Sequence, residues 1–193
     1  MPSWRECLLP GGDDLRVVAL TGTPGTGKSG ISAELKKRGY EVLEMAALID
    51  SLHVHTSFNP EYGSREVDTD ELRTKVDGHL SSMKPAMLFL SGHLSHFATC
   101  STAVVLRCEP HTLRERLRRR GWNEVKILEN VRAEILDVIL VEASERIKDV
   151  FEVDTTGREV TSATDIVLDA VVKMPDSLRP GRINWAGEIE EWF

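Results

Sequence analysis

Short apolar runs and longer amphipathic stretches alternate along the chain. Residues 15–20 (Leu-Arg-Val-Val-Ala-Leu), 40–43, 86–90, 103–107 and 150–153 are rich in β-branched or apolar side chains, and each has the length of a buried strand. Between them lie stretches of helix-forming composition: 31–38, stopped by Gly39; 45–52; 70–83, capped by Asp68-Thr69-Asp70 and ended by Lys84-Pro85; 110–119; and 162–173. From Asn123 onward Ile127, Leu128, Val131, Ile135, Val138 and Ile139 recur at helical spacing towards Ile147, which predicts one long helix with a single core-facing stripe. Residues 53–66 contain Pro60, Gly63 and few apolar side chains and read as loop. Strand and helix therefore alternate about five times, the pattern of an α/β fold whose parallel sheet is covered on both faces.

The segment after the first strand changes the picture from fold to chemistry. Gly22-Thr23-Pro24-Gly25-Thr26-Gly27-Lys28-Ser29 spells the phosphate-binding loop G-x-x-x-x-G-K-[ST], placed between a strand and a helix as that loop requires. Glycines let successive N–H groups face phosphate oxygens, Lys28 brings an ammonium to the β/γ-phosphates, and the Ser29 hydroxyl suits Mg²⁺. A plain strand-to-helix turn has no need of both Lys28 and Ser29. The chain is read as binding a nucleoside triphosphate.

Composition sets outer limits. The 193 residues fit one α/β domain over 1–174, followed by an arm over 175–193 that carries Pro175, Pro180, Gly181 and Gly187, then Trp185, Trp192 and Phe193. The arm's aromatics are expected to dock on the protein's own core, with a partner surface as the alternative. No apolar stretch approaches the roughly 20 residues of a membrane span. Met1–Glu6 lacks the apolar centre of a secretory signal, and Cys7, Cys100 and Cys108 have no paired spacing, so a cytoplasmic, reducing location is expected. A net charge of −7 disfavours direct nucleic-acid binding and favours a basic protein partner.

Phosphoryl transfer needs positioned phosphates, a metal and cations that follow the migrating charge. In Arg114–Arg120 the helical spacing puts Arg116 and Arg120 on one face, beside the Gly121-Trp122 break; a guanidinium there could close over a nucleotide, while Arg118 and Arg119 read as a solvated face. Ser91-Gly92-His93-Leu94-Ser95-His96 follows a buried strand, at the strand end where such folds place ligands. His93 and His96 could form an H-x-x-H metal pair near Cys100, but no carboxylate or second thiol completes a ligand set. His96 reads better as a hydrogen-bonded packing residue.

Taken together, the phosphate loop, Ser91–His96, Val104–Arg107, Glu115-Arg116-Leu117, Arg120-Gly121-Trp122, and the run from Lys126 through Glu142-Ala143 resemble the archaeal and nuclear adenylate-kinase-like family of small-ribosomal-subunit assembly. The likeness covers roughly residues 15–172 and is stronger to the archaeal branch. It implies a nucleoside-monophosphate-kinase fold with strand order 2-3-1-4-5, transfer of the ATP γ-phosphoryl group to AMP with Mg²⁺, slower ATPase activity, and binding to a basic ribosomal protein of the small-subunit platform. By the same resemblance, ATP contacts fall on Gly25, Gly27, Lys28, Ser29, Gly30 and Arg120, with the metal at Ser29. The lid spans about 119–129 and the monophosphate segment about 44–67. His93 is implied to couple the site to hydrolysis.

Two departures from the family pattern stand out. Ser91 occupies the place of an aspartate that ends the third strand, so metal binding should weaken or pass to Asp68 or Asp70, which could equally be helix caps. The monophosphate segment also has no arginine or lysine from Tyr40 to Ser64, so Arg65, Arg73 or Arg107 would have to meet an AMP phosphate. Three functional readings remain: an adenylate kinase, an ATPase switch that binds a ribosomal protein, and a kinase for another small acceptor.

Overall fold

The computed structural model describes residues 15–59, 64–83 and 87–193. Expectations about Met1–Glu6, Cys7, Pro60, Gly63 and Lys84-Pro85 concern residues outside that set. The central sheet contains β1 (Arg16–Thr21), β2 (Glu41–Glu44), β5 (Met87–Ser91), β6 (Thr102–Arg107) and β7 (Asp149–Asp154), ordered β2-β5-β1-β6-β7, with every pairing parallel. Counted within this sheet alone, that is the expected order 2-3-1-4-5.

Side chains alternate across each strand, so two cores form. Val18, Leu20, Phe89, Val104, Leu106, Phe151 and Val153 face α1 (Lys28–Lys37) and α7 (Val160–Lys173), burying Ile31, Leu35, Val167 and Val171. Val17, Leu88 and Leu90 face α2 (Met45–Ser51) and α3 (Thr69–Leu80) through Met45, Leu48, Leu72 and Val76. Ala19, Ala103, Val105 and Val150 on that same side meet Leu140 and Ala143 of α6 (Val138–Arg146). Because both faces are covered, β6 is buried at every position, which explains its uninterrupted apolar run. Among the described residues, no helix is long and apolar enough to cross a membrane.

Two expectations need correction. Residues 53–66 are not simply loop: β3 (Thr56–Asn59) and β4 (Ser64–Val67) form an antiparallel ribbon in the register Thr56↔Val67, Ser57↔Glu66. The ribbon buries little apolar surface. Glu66 holds it instead, accepting from Asn59 Nδ2 at 2.7 Å and Ser57 Oγ at 3.4 Å, while Phe58 is 67% exposed. The long helix is in fact two, α5 (Glu124–Ile135) and α6, because Asp137 takes a left-handed conformation at φ 56. Asp tolerates this region better than most residues, and the break is stabilised by Asp137 accepting from the buried Arg107 guanidinium.

Away from the sheet, a further apolar cluster joins α4 (Pro110–Arg119), α5 and the C-terminal arm. Leu113, Leu117, Ile127, Val131 and Ile135 surround Trp192 of the short α8 (Ile189–Trp192), which is 4% exposed. Arg132 Nε donates to the Trp192 carbonyl at 2.7 Å, and Arg114 lies over its indole. Trp192 thus docks on the protein's own core, whereas Phe193 remains exposed with Arg132 stacked against its ring.

Candidate active site

The phosphate loop leaves the C-terminal end of β1 and curls into α1 through glycines at φ 133 (Gly22), 100 (Gly25) and 106 (Gly27). The three glycines answer different demands. A Cβ at Gly22 would lie 2.4 Å from the Leu106 carbonyl oxygen, and one at Gly25 would lie 2.7 Å from Leu113 Cδ1. At Gly27 nothing stands closer than 3.9 Å, so only backbone conformation and the approach of a ligand call for glycine there. Gly27 caps α1 without a side-chain acceptor, so this helix end, on the cleft wall at Lys28 and Ser29, suits an anion through free N–H groups and the helix dipole.

A cleft of about 210 Å³ gathers Pro24, Gly25, Gly27, Lys28 and Ser29 on one wall, and Glu44, Met45, Ala46 and Ile49 on the other. Ser91 and Gly92 form its floor, His93 stands at its mouth, and Arg120 reaches it from the end of α4. Of the residues proposed from sequence, Gly25, Gly27, Lys28, Ser29, His93 and Arg120 therefore meet in one place. Gly30 is not among the residues that line the cleft; it sits in the first turn of α1, where a Cβ would meet Val160 Cγ2 at 3.3 Å, so α1 and α7 approach closely there.

Lys28 Nζ donates to the carbonyls of Gly22 and Thr23 at 2.5 and 3.0 Å. Burial pushes its amine down to about 7; the Glu134 carboxylate opposes the shift and Arg120 adds to it. A triphosphate brought to the loop supplies negative charge that holds the ammonium form. His93 is pushed down to about 4 by the protein walls and by the charges of Lys28 and Lys126. Its side chain stands at the solvent-exposed cleft mouth, where water softens that depression. At neutral pH it is an uncharged imidazole, able to accept or donate one hydrogen bond.

His96 belongs elsewhere. Its ring is buried, with Nδ1 3.1 Å from Thr21 Oγ1 and Nε2 3.1 Å from Glu142 Oε2, consistent with an Nε2–H tautomer that accepts from the threonine. Burial pushes its pKa to about 4 despite Glu142, whose own carboxyl is raised by burial. Cys100 donates to the Ser95 carbonyl at 3.7 Å, and its thiol is pushed up to about 12 by burial. The H-x-x-H pair therefore does not form a metal centre with Cys100.

Several expected cations have other work. Arg116, paired with Arg120 from helical spacing, instead holds the loop from behind: it donates to the Thr155 carbonyl at 2.8 Å, to Thr155 Oγ1 at 3.2 Å and to the Gly25 carbonyl at 3.4 Å. Arg107 is 1% exposed and committed to Glu134, Asp137 and Glu152, so it cannot reach an acceptor phosphate. Arg65 pairs with Asp50 at 2.8 Å and Arg73 with Asp77 at 3.7 Å, both at the surface. Asp68 caps α3, accepting from the N–H groups of Asp70 and Glu71. Ser91 Oγ accepts from Ser32 Oγ at 2.8 Å, so the floor offers Mg²⁺ only neutral hydroxyl oxygen. Ser29, exposed in the first turn of α1, fits the ion together with phosphate oxygens, since Mg²⁺ keeps most of its shell as water and phosphate.

Residues 18–137 match the family model described as an AAA domain. The chain belongs to this P-loop family. It is 40% identical over 179 residues to the protein named "Putative adenylate kinase" of Archaeoglobus fulgidus, covering 91% of this chain and 94% of that one. A protein of the same name from Methanocaldococcus jannaschii is 35% identical over 177 residues, with the same coverage. Among solved structures, the shikimate kinase of Acinetobacter baumannii in complex with shikimate superposes with a TM-score of 0.53 at 16% identity, covering 85% of this chain and 97% of that one. TT1252 from Thermus thermophilus gives 0.54 at 19% identity, with 83% and 97% covered. These two likenesses concern the fold: a parallel five-stranded P-loop kinase-like sheet with helices on both faces.

Proposed function

We propose that this family member transfers the γ-phosphoryl group of ATP to AMP with Mg²⁺, hydrolyses ATP more slowly, and serves maturation of the small ribosomal subunit in the cytoplasm. The observation that carries the catalytic part is the cleft, in which the phosphate loop faces a second wall, with Arg120 at its rim. The loop amides and Lys28 would hold the β- and γ-phosphates, and Ser29 would hold Mg²⁺, which screens phosphate charge when bound. Arg120 would meet charge developing on the transferred group, and Gly121, at φ 76 with open space around it, would let the 119–129 segment close. The second wall, Glu44 through Ile49, would receive the acceptor within the 44–67 segment. Neutral His93 would orient the attacking water in hydrolysis. The naming of the archaeal relatives supports the adenylate-kinase reading, and the net charge of −7 supports a basic ribosomal-protein partner.

One observation favours a second reading, an ATPase switch with little kinase activity. The cations expected to meet an acceptor phosphate are engaged: Arg107 is buried among carboxylates, and Arg65 and Arg73 have acidic neighbours. Arg65 and Arg73, both at the surface, could exchange partners, and of the two Arg65 lies on the ribbon of the acceptor segment. ADP production from MgATP, measured with and without AMP, separates the two. Stimulation by AMP is expected; a rate indifferent to AMP removes the kinase and leaves the switch.

A further inference from the structure

A charged relay that no expectation of phosphate binding requires runs beneath the loop. Thr23, 2% exposed, donates from Oγ1 to Glu134 Oε2 at 2.5 Å. The same residue's carbonyl accepts from Thr26 N, Thr26 Oγ1 and Lys28 Nζ, so fixing Thr23 fixes the inner turn of the loop. Glu134 Oε1 accepts in turn from Arg107 Nε at 2.8 Å and Cys108 N at 3.1 Å. Arg107 Nη1 reaches Glu152 Oε2 at 2.6 Å, and Nη2 reaches the Glu134 carbonyl and Asp137. Glu152 Oε1 then accepts from the main-chain N–H groups of Gly181 and Arg182, at 2.7 and 3.2 Å, in the C-terminal arm.

Arg107, Glu134 and Glu152 are each at most 3% exposed. Buried ions are costly unless every partner is in place, and removing one partner leaves its neighbour uncompensated. Such a chain therefore has few alternative arrangements, and each link constrains the next. The loop end and the arm end lie on different elements, about 160 residues apart in sequence, and are joined by this buried polar path.

We propose that Glu134 is a positioning residue for the phosphate loop, and that Arg107 and Glu152 extend its hold to the arm at residues 181–182, so that docking of the arm tightens the loop. The inference deepens the nucleotide-binding reading and names a residue set that governs it. None of Glu134, Arg107 and Glu152 lines the cleft; they reach the loop through Thr23. A partner that pulled the arm away would loosen the loop by the same path.

Two variants test it. Thr23→Val keeps the shape and removes the hydroxyl; Gly181→Pro removes an N–H from Glu152 at a position whose φ of 93 proline cannot adopt. Hydrogen exchange of the loop amides 22–28 is followed in the nucleotide-free protein, with amides of α7 as internal reference, and MgATP affinity is measured by calorimetry. Exchange about tenfold faster in the loop is expected for both variants, with α7 unchanged, and Thr23→Ser should restore the original rates. If wild type takes up MgATP, affinity should fall about tenfold with either variant. Loop exchange unchanged in either variant overturns the relay, as does faster exchange spread equally over α7. If wild type fails to bind MgATP, the nucleotide reading falls, and the exchange data still decide whether the relay holds the loop.

Discussion

Replacing Gly22 and Gly27 by alanine separates what the fold needs from what the ligand needs. Both positions have positive φ, so each substitution incurs roughly 1–3 kcal/mol of backbone strain. At Gly22 the new methyl would also lie 2.4 Å from the Leu106 carbonyl oxygen and 3.1 Å from the Leu106 nitrogen. Those are main-chain atoms inside the central sheet and cannot swing aside, so overpacking adds about 1–3 kcal/mol. Gly22→Ala should therefore lose about 2–6 kcal/mol of stability, read as a lower urea midpoint at constant slope. Gly27→Ala has no neighbour within 3.9 Å and should lose only the strain. Calorimetry with MgATP should rank them the other way among folded samples: Gly27→Ala removes the space a phosphate enters and should weaken binding by tenfold or more. Equal unfolding midpoints for the two variants would refute the packing argument. Undiminished affinity in Gly27→Ala would refute the placement of the phosphate.

Lys28→Ala should abolish both AMP-dependent and AMP-independent ADP formation while leaving the melting temperature within a few degrees, since its amine bonds only to loop carbonyls; turnover persisting at the wild-type rate sinks the site assignment. Ser91→Asp places a carboxylate at the cleft floor and should shift the Mg²⁺ titration of activity several-fold towards lower concentration, an effect that a flat titration would contradict. His96, held neutral with its pKa near 4 against 6.5 when unfolded, makes unfolding take up a proton below pH 6.5. Stability should fall as pH drops from 6.5 towards 4, by at most about 3 kcal/mol from this residue. Urea midpoints of His96→Gln should show a shallower decline over that window, and identical slopes would show that the histidine is not the titrating group.

The phosphate loop, the parallel sheet and the pairing of strand ends with site residues were legible because they rest on local signals: a contiguous motif, apolar runs of strand length and breakers at Gly39 and Gly121. The β3–β4 ribbon was not, because it carries little apolar surface beyond Val67, which packs on the core; Ser57 and Asn59 donate to Glu66 rather than alternate against apolar neighbours. The break at Asp137 was hidden by an apolar stripe that runs on from Ile135 to Leu140 across it, and its cause lies 30 residues upstream in Arg107. A clue did exist for the buried relay. Arg107 ends an apolar strand, and Glu152 sits between Phe151 and Val153, positions where a charge must find a partner out of water. Sequence alone could not say that those partners were each other, nor that Arg116 would turn to the back of the loop.

The seam at Gly92 limits how the cleft can be altered. Its N–H donates to the Leu20 carbonyl, and a Cβ there would stand 2.5 Å from Met45 Cβ, so β5 and α2 abut with no room to spare. Any side chain larger than hydrogen at this point would wedge the two walls apart and carry the floor away from the loop. On the proposed reading, room for a bulkier acceptor would have to come from Met45, Ala46 and Ile49 on the far wall, and because Met45 and Ile49 are also core residues, trimming either would cost stability.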